Sequence, residues 1–256
     1  NPGDAGIPPE ITWQTTSGVS PDAIGAFKWP LPELLPVVPG QIMDYGYSDL
    51  VVLPFPVTIP ADADGAIVFE GVADYLICED VCIPESVDIR LMQSVGAQQL
   101  PDETSSARIQ AALANVPPAF TGEASLTEQN GAWVLSLAGD QVAGTRGDAR
   151  FFPFDHEITH AADQPVGFGA QGLSLTLTPA KPDDAVPDTI AGVVTVGEKA
   201  FEVSANSGAL LAGTSGSSGS GGSPALNGVQ GSLPVLLAFA LIGGLILNLM
   251  PCVLPV

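Results

Sequence analysis

The sequence predicts a mainly β chain: two small β-sandwich domains in series, a flexible linker, then a transmembrane α-helix. Three observations carry this. The 256 residues include 29 glycines and 24 prolines, too many for a helix bundle, while 46% apolar residues is too many for a disordered chain. Short strands joined by turns are the class that remains. Second, apolar and polar residues alternate over several short runs, the period of a strand with one buried face. Third, the charge is segregated. The 28 acidic and 7 basic side chains give a formal charge of −21, and none lies between Val203 and Val256. Seven scattered cations cannot supply the Lys/Arg footprint that a phosphate backbone needs, which excludes nucleic-acid binding.

Taken in order, residues 23–29 are a weak strand candidate. Residues 50–59 (LVVLPFPVTI) read as a strand that Pro54 and Pro56 confine to a sheet edge. Residues 66–77 and 86–93 alternate more clearly. Ile67, Phe69, Ala73, Tyr75 and Ile77 share one face and Glu70 and Asp74 the other, while Val87, Ile89 and Leu91 alternate with Asp88 and Arg90. They predict two half-buried antiparallel strands. Residues 103–115 predict one helix, with Asp102 as N-cap, Ile109, Leu113 and Val116 on one face, and Pro117-Pro118 ending it. Beyond it, residues 132–137, 149–154, 173–178, 191–196 and 201–205 read as the strands of a second β domain.

The division is therefore residues 1–100, a first β-sandwich; 101–207, the connecting helix and second β domain; 208–228, the linker; and 229–256, the start of a membrane domain. Gly213 to Ser223 is almost entirely Gly and Ser, a coil that cannot bury anything. Residues 233–250 (LPVLLAFALIGGLILNLM) are 18 uncharged residues and the apolar run continues to Val256. About 20 such residues span a bilayer, so a transmembrane helix is expected. With no basic, apolar leader at Asn1, a leader was removed or the segment is cut from a longer protein; the apolar run reaching Val256 favours a piece of a longer membrane protein.

There are three cysteines. Cys78 and Cys82 close the 66–93 hairpin as Cys-Glu-Asp-Val-Cys, facing each other across strand ends spaced about 4.5–5.5 Å, within disulfide range. Parity places Cys78 on the Glu70/Asp74 face and Cys82 on the Asp88/Arg90 face, so both sulfurs should point away from the core. One reading is a structural staple, although so short a loop removes little chain entropy when closed. The other is a reactive pair, with Glu79, Asp80 and Glu85 supplying negative charge that opposes a thiolate. Two thiols with no nearby His fall short of a metal site. Cys252 lies between Pro251 and Pro255 in the apolar run, where prolines break a helix ladder beside an enclosed cavity.

Tyr75-Leu-Ile-Cys78-Glu-Asp-Val-Cys82-Ile-Pro84-Glu85 together with Asn248-Leu-Met-Pro-Cys252-Val-Leu-Pro255 resembles the DsbD-like thiol:disulfide interchange proteins, and within them the branch that includes ScsB, a copper-tolerance protein. The opening Asn1-Pro-Gly-Asp-Ala-Gly-Ile-Pro-Pro, Trp29-Pro30, Gly46-Tyr47-Ser-Asp49 and Phe151-Phe152-Pro153 are similar to that branch too. The resemblance implies immunoglobulin-like β-sandwiches in the periplasm, an inner-membrane electron-carrying domain and a C-terminal thioredoxin-like domain. It implies protein-disulfide reductase activity without a cofactor. Cys78 and Cys82 would be the periplasmic redox pair, and Cys252 one of two membrane cysteines, its partner beyond Val256. Electrons would come from cytoplasmic thioredoxin and pass to thioredoxin-like periplasmic proteins, such as a disulfide isomerase or copper-tolerance and cytochrome c maturation partners. Against that family, the first strand region is missing before Asn1, the two soluble cysteines are closer than in the best-known members, and the cap loop that shields the disulfide there has no clear counterpart.

A second motif competes. His156-Glu157-Ile158-Thr159-His160 matches H-E-x-x-H, which binds zinc when a helix puts both His on one face. Pro153, Pro165 and the β-branched Ile158 and Thr159 argue for a loop after a strand, with no resident metal. Two function classes remain, a redox relay and a binding module whose disulfide is only a staple. Cys252 favours the relay, because a staple-only module has no use for a proline-flanked membrane thiol.

Overall fold

A computed structural model describes residues 1–79, 81–96, 102–155 and 157–215. The expected membrane span, Cys252 and His156 lie outside the described residues, within which no helix is long and apolar enough to cross a membrane.

The chain is mainly β. In the N-terminal part, β1 (Glu10–Ser17), β4 (Gly65–Cys78) and β5 (Cys82–Val95) form a sheet in the order β1-β4-β5, antiparallel throughout. Its core is small: Val19, Ile67 and Phe69 are buried, with Trp13, Ile24 and Val57 packed against them. Gly71 is what lets β1 approach, since a Cβ there would meet the Thr12 carbonyl oxygen at 2.7 Å and the Trp13 ring at 3.2 Å. Between β1 and β4, β2 (Glu33–Val38) and β3 (Ile42–Gly46) make a separate two-stranded ribbon. The chain start is stitched to it: the buried Asp44 carboxylate accepts from the Ala5 and Gly6 amides at 2.8 and 3.2 Å.

The expected strand at 50–59 does not form. Pro54 and Pro56 remove amides two residues apart, on the edge that would have to donate. Their carbonyls instead accept from Lys28 and Gly25 at 2.7 and 2.8 Å, and a single bridge joins Ile24 to Val57. Residues 23–29 are likewise no strand, beginning in a 3-10 turn at Pro21–Ala23. Nor is the hairpin half-buried along both arms. In β5 only Ile89 and Val95 are even partly covered, because β5 is the sheet edge and outruns the core.

Helix α1 (Glu103–Ala114) forms as expected, Asp102 capping it by accepting from the Thr104 and Ser105 amides at 3.2 and 3.4 Å. No residue of α1 is buried, and Ile109 and Leu113 remain exposed.

Beyond it, β6 (Glu123–Gln129), β7 (Ala132–Ala138), β8 (Ala149–Pro153), β9 (Val166–Phe168), β10 (Gly172–Leu177), β11 (Thr189–Val196) and β12 (Lys199–Ser207) form one seven-stranded sheet. The order is β8-β11-β12-β6-β7-β10-β9, with a single parallel pairing of β12 with β6. Inward residues of all seven strands meet in one core that includes Leu126, Leu135, Phe151, Val166, Leu175, Val194 and Val203. The sheet curls to enclose it, as Gln164, just before edge strand β9, exchanges two hydrogen bonds with Phe151 of the opposite edge strand, at 2.7 and 3.0 Å. Residues after β12 continue along its outside: Ser125 Oγ donates to the Ala209 carbonyl at 2.8 Å, and the Gln171 amide to the Gly213 carbonyl at 2.9 Å.

Candidate functional site

The β4–β5 hairpin is fourteen residues long on each arm, and its register pairs Cys78 with Cys82 at the tip. They form a disulfide across a Cα separation of 4.0 Å. The rungs below run Ile77 with Ile83, Leu76 with Pro84, Tyr75 with Glu85, and Asp74 with Ser86. Pro84 is tolerated because β5 is an edge strand. Further down, Phe69 stands opposite Leu91 and Glu70 opposite Arg90. Side chains alternate between faces, so Phe69 and Ile67, which fill the core, are on the face opposite the cysteines. The parity read from the sequence holds along the whole hairpin, and both cysteines are exposed.

The core holds the hairpin at its base, and β1 pairs with β4 no farther than Asp74. At the base Trp13 packs against Phe69 and Phe55, with ring centroids 6.0 and 5.7 Å apart. The tip projects past this cluster, leaving Ile77, Val81 and Ile83 at 54%, 72% and 55% exposure. Sequence reasoning gave Ile77 to the buried face. The alternation identified its face correctly, but parity carries no information on how far the layer beneath extends. On the cysteine face, Ser86 Oγ donates to the Asp74 carboxylate and Arg90 Nε pairs with Glu70 at 2.9 Å.

A three-residue loop joins two cysteines at the open end of a supported ladder. A partner thiol can reach either sulfur without displacing the core, and the exposed Ile side chains give an apolar footing beside it. This arrangement can carry thiol:disulfide exchange.

The H-E-x-x-H segment is built otherwise. Glu157 to His160 is extended or turn, with Ile158 bridged to Pro179 and the Thr159 amide donating to the Thr178 carbonyl at 2.9 Å. The helix that would place two His on one face is missing, and the described residues contain no cluster of three or more metal-ligating side chains. His160 is 1% exposed, its Nδ1 lies 3.0 Å from the Tyr45 hydroxyl, and its carbonyl accepts from Arg150 at 2.5 Å. Tyr45 also stacks edge-on against Phe152, centroids 5.2 Å apart. His160 thus joins β3 to the seven-stranded sheet. A lone buried polar ring gives no periodic signal, so this contact was not legible in the sequence. Burial, with Asp155 adding to it, raises the Glu157 carboxyl above the ordinary glutamate range.

Comparison with known proteins bears directly on the hairpin. Residues 5–94 match the family model described as "Thiol:disulfide interchange protein DsbD, N-terminal". The chain carries a DsbD/ScsB-like N-terminal domain. This DsbD_N-like region takes in β1 to β5, the disulfide and most of the ladder below it. Its fold is also similar to the crystal structure of the N-terminal periplasmic domain of ScsB from Proteus mirabilis, at a TM-score of 0.58 and 25% identity, over 81% of this chain and 80% of that one. The similarity therefore runs beyond the DsbD_N-like region into the seven-stranded sheet. No curated protein matches the chain.

Proposed function

We propose that this chain is the periplasmic thiol:disulfide exchange part of a membrane electron-relay protein, with Cys78 and Cys82 as its redox pair. In this reading it is a protein-disulfide reductase that hands reducing equivalents to thioredoxin-like periplasmic proteins. The observation that carries the reading is the exposed disulfide at the tip of the hairpin, inside a DsbD_N-like region. Residues 1–100 are the redox domain and 101–207 the helix and second β domain; 208–228 tether them to a membrane domain starting at 229. Cys252 is a relay cysteine of that domain, fed from cytoplasmic thioredoxin, and its partner lies past Val256.

The exchange step balances within the thiols. A partner thiolate attacks one sulfur, a new S–S bond forms as the Cys78–Cys82 bond breaks, and the electron pair leaves on the other cysteine, which takes up a proton. The second partner thiol then resolves the mixed disulfide, leaving both cysteines reduced and the partner oxidised. In the physiological direction the same steps run in reverse.

The test is the reduction potential of the pair, measured against a glutathione or dithiothreitol series. A relay pair should equilibrate above about −300 mV. A value well below that marks a structural bond, and the chain is then a partner-binding β module with a stapled hairpin.

A further inference from the structure

We infer that the Cys78–Cys82 pair selects partners whose thiol sits in a cationic surface. This rests on the exchange reading above and names the chemical class of partner it would take. Residues 65–95 hold six acidic side chains, Glu70, Asp74, Glu79, Asp80, Glu85 and Asp88, against one basic, Arg90. Arg90 is spent on Glu70, at the rung farthest from the sulfurs among these charges. Among the described residues, no cation pairs with Asp74, Glu79, Glu85 or Asp88, all of them exposed.

The register distributes these carboxylates round the sulfurs. Asp74 and Asp88 share the cysteine face, Glu85 is on the opposite face beside Tyr75, and Glu79 is in the loop itself. Ile77 and Ile83, one rung below the cysteines, stand exposed on the Glu85 face, and Val81 is exposed in the loop. A docking surface with an apolar centre and a rim of one sign complements a partner with an apolar centre and a rim of the other. The chemistry asks for the same partner. When a thiolate attacks Cys82 Sγ, the electron pair leaves on Cys78, next to Glu79. A partner cation at the rim offsets that developing charge, and an anionic partner adds to it. The whole chain, at −21, extends the same field outward and steers a cationic partner before contact.

The experiment follows reduction of the disulfide in the full chain, kept in an uncharged detergent, by three small monothiols. Cysteamine is cationic, 2-mercaptoethanol neutral and mercaptoacetate anionic. Each rate constant is divided by that thiol's rate against a small neutral disulfide, which removes differences in intrinsic nucleophilicity. The expected order is cysteamine, then 2-mercaptoethanol, then mercaptoacetate, with the extremes roughly tenfold apart at 10 mM salt and converging at 0.5 M as the charges are screened. Asp74→Asn, Glu79→Gln and Glu85→Gln together should flatten the order, bringing the normalised rates of the cationic and anionic thiols together at 10 mM salt. Equal normalised rates at low salt overturn the inference and leave the exchange reading standing. Failure of all three thiols to reduce the bond, with reduction restored by denaturant, overturns the exchange reading itself.

Discussion

At the level of single residues, the two cysteines are equivalent in exposure and rung, and their neighbours distinguish them. Cys78 is followed by Glu79, whose charge opposes a thiolate, whereas Cys82 is followed by Ile83 and Pro84. Cys82 should therefore be the sulfur that holds the mixed disulfide and Cys78 the one that resolves it. In a periplasmic extract, Cys78→Ala should accumulate a covalent complex and Cys82→Ala should trap little; stronger trapping by Cys82→Ala reverses the assignment. A second residue-level expectation concerns Glu157, whose carboxyl is raised by burial and then by Asp155. The folded state then holds that proton more tightly than the unfolded chain. Its contribution is fully present below the ordinary glutamate pKa and is lost as pH rises through the raised folded value. Glu157→Gln should thus melt higher than the parent at neutral pH, with the gap closing in acid. A constant gap from pH 3 to 7 would remove Glu157 from the account.

At the level of elements, the hairpin combines a buried base with an open tip, and substitutions should separate the two. Phe69 is in the small core, stacked on Trp13, so Phe69→Ala should destabilise by about 3–5 kcal/mol. Ile83 is 55% exposed at the tip, so Ile83→Ser should change stability within about 0.5 kcal/mol and slow exchange with a protein partner several-fold. Equal effects of Ile83→Ser on small-thiol and protein-partner rates would deny it a docking role. The same hairpin shows what the sequence could tell. Alternation from Ile67 to Ile77 fixed the faces, and hence the outward direction of both sulfurs, because period 2 is a property of the strand itself. It could not fix depth, because cover is supplied by other elements. β1 escaped notice for a related reason. Its sequence, EITWQTTS, alternates weakly, and Trp13 is its main apolar anchor. Residues 50–59 misled in the opposite sense, having strand composition but lacking the amides of Pro54 and Pro56. Five strands of the seven-stranded sheet were legible, being apolar at nearly every inward position; β6, polar towards both ends, and β9, three residues long, were not read.

At the level of the whole molecule, the two sheets are unequal. Among the described residues, seventeen buried ones make the core of the seven-stranded sheet, against three in the sheet that carries the disulfide. Tyr45, Phe152 and Val193 form another cluster of three that joins β3 to the larger sheet beside His160. Tyr45→Phe removes the hydroxyl that meets His160 while keeping the ring, and should cost about 1 kcal/mol. The larger consequence is a gradient of local stability. Opening free energies follow the apolar contacts that an opening breaks, so segments with few buried contacts open first. β7 has hydrogen-bonded neighbours on both sides and buried residues from Trp133 to Leu137; β5 has one neighbour and almost no cover. Native-state hydrogen exchange should therefore protect β7 and β10 amides most, the base of β4 less, and the tip rungs around Ile77 and Ile83 least. Reducing Cys78–Cys82 should speed exchange at the tip and leave β7 unchanged, because the bond closes only the loop beyond the last rung. If reduction instead speeds exchange in β7, the disulfide is coupled to the global fold, and a redox pair that cycles without disturbing its scaffold is the wrong description of this molecule.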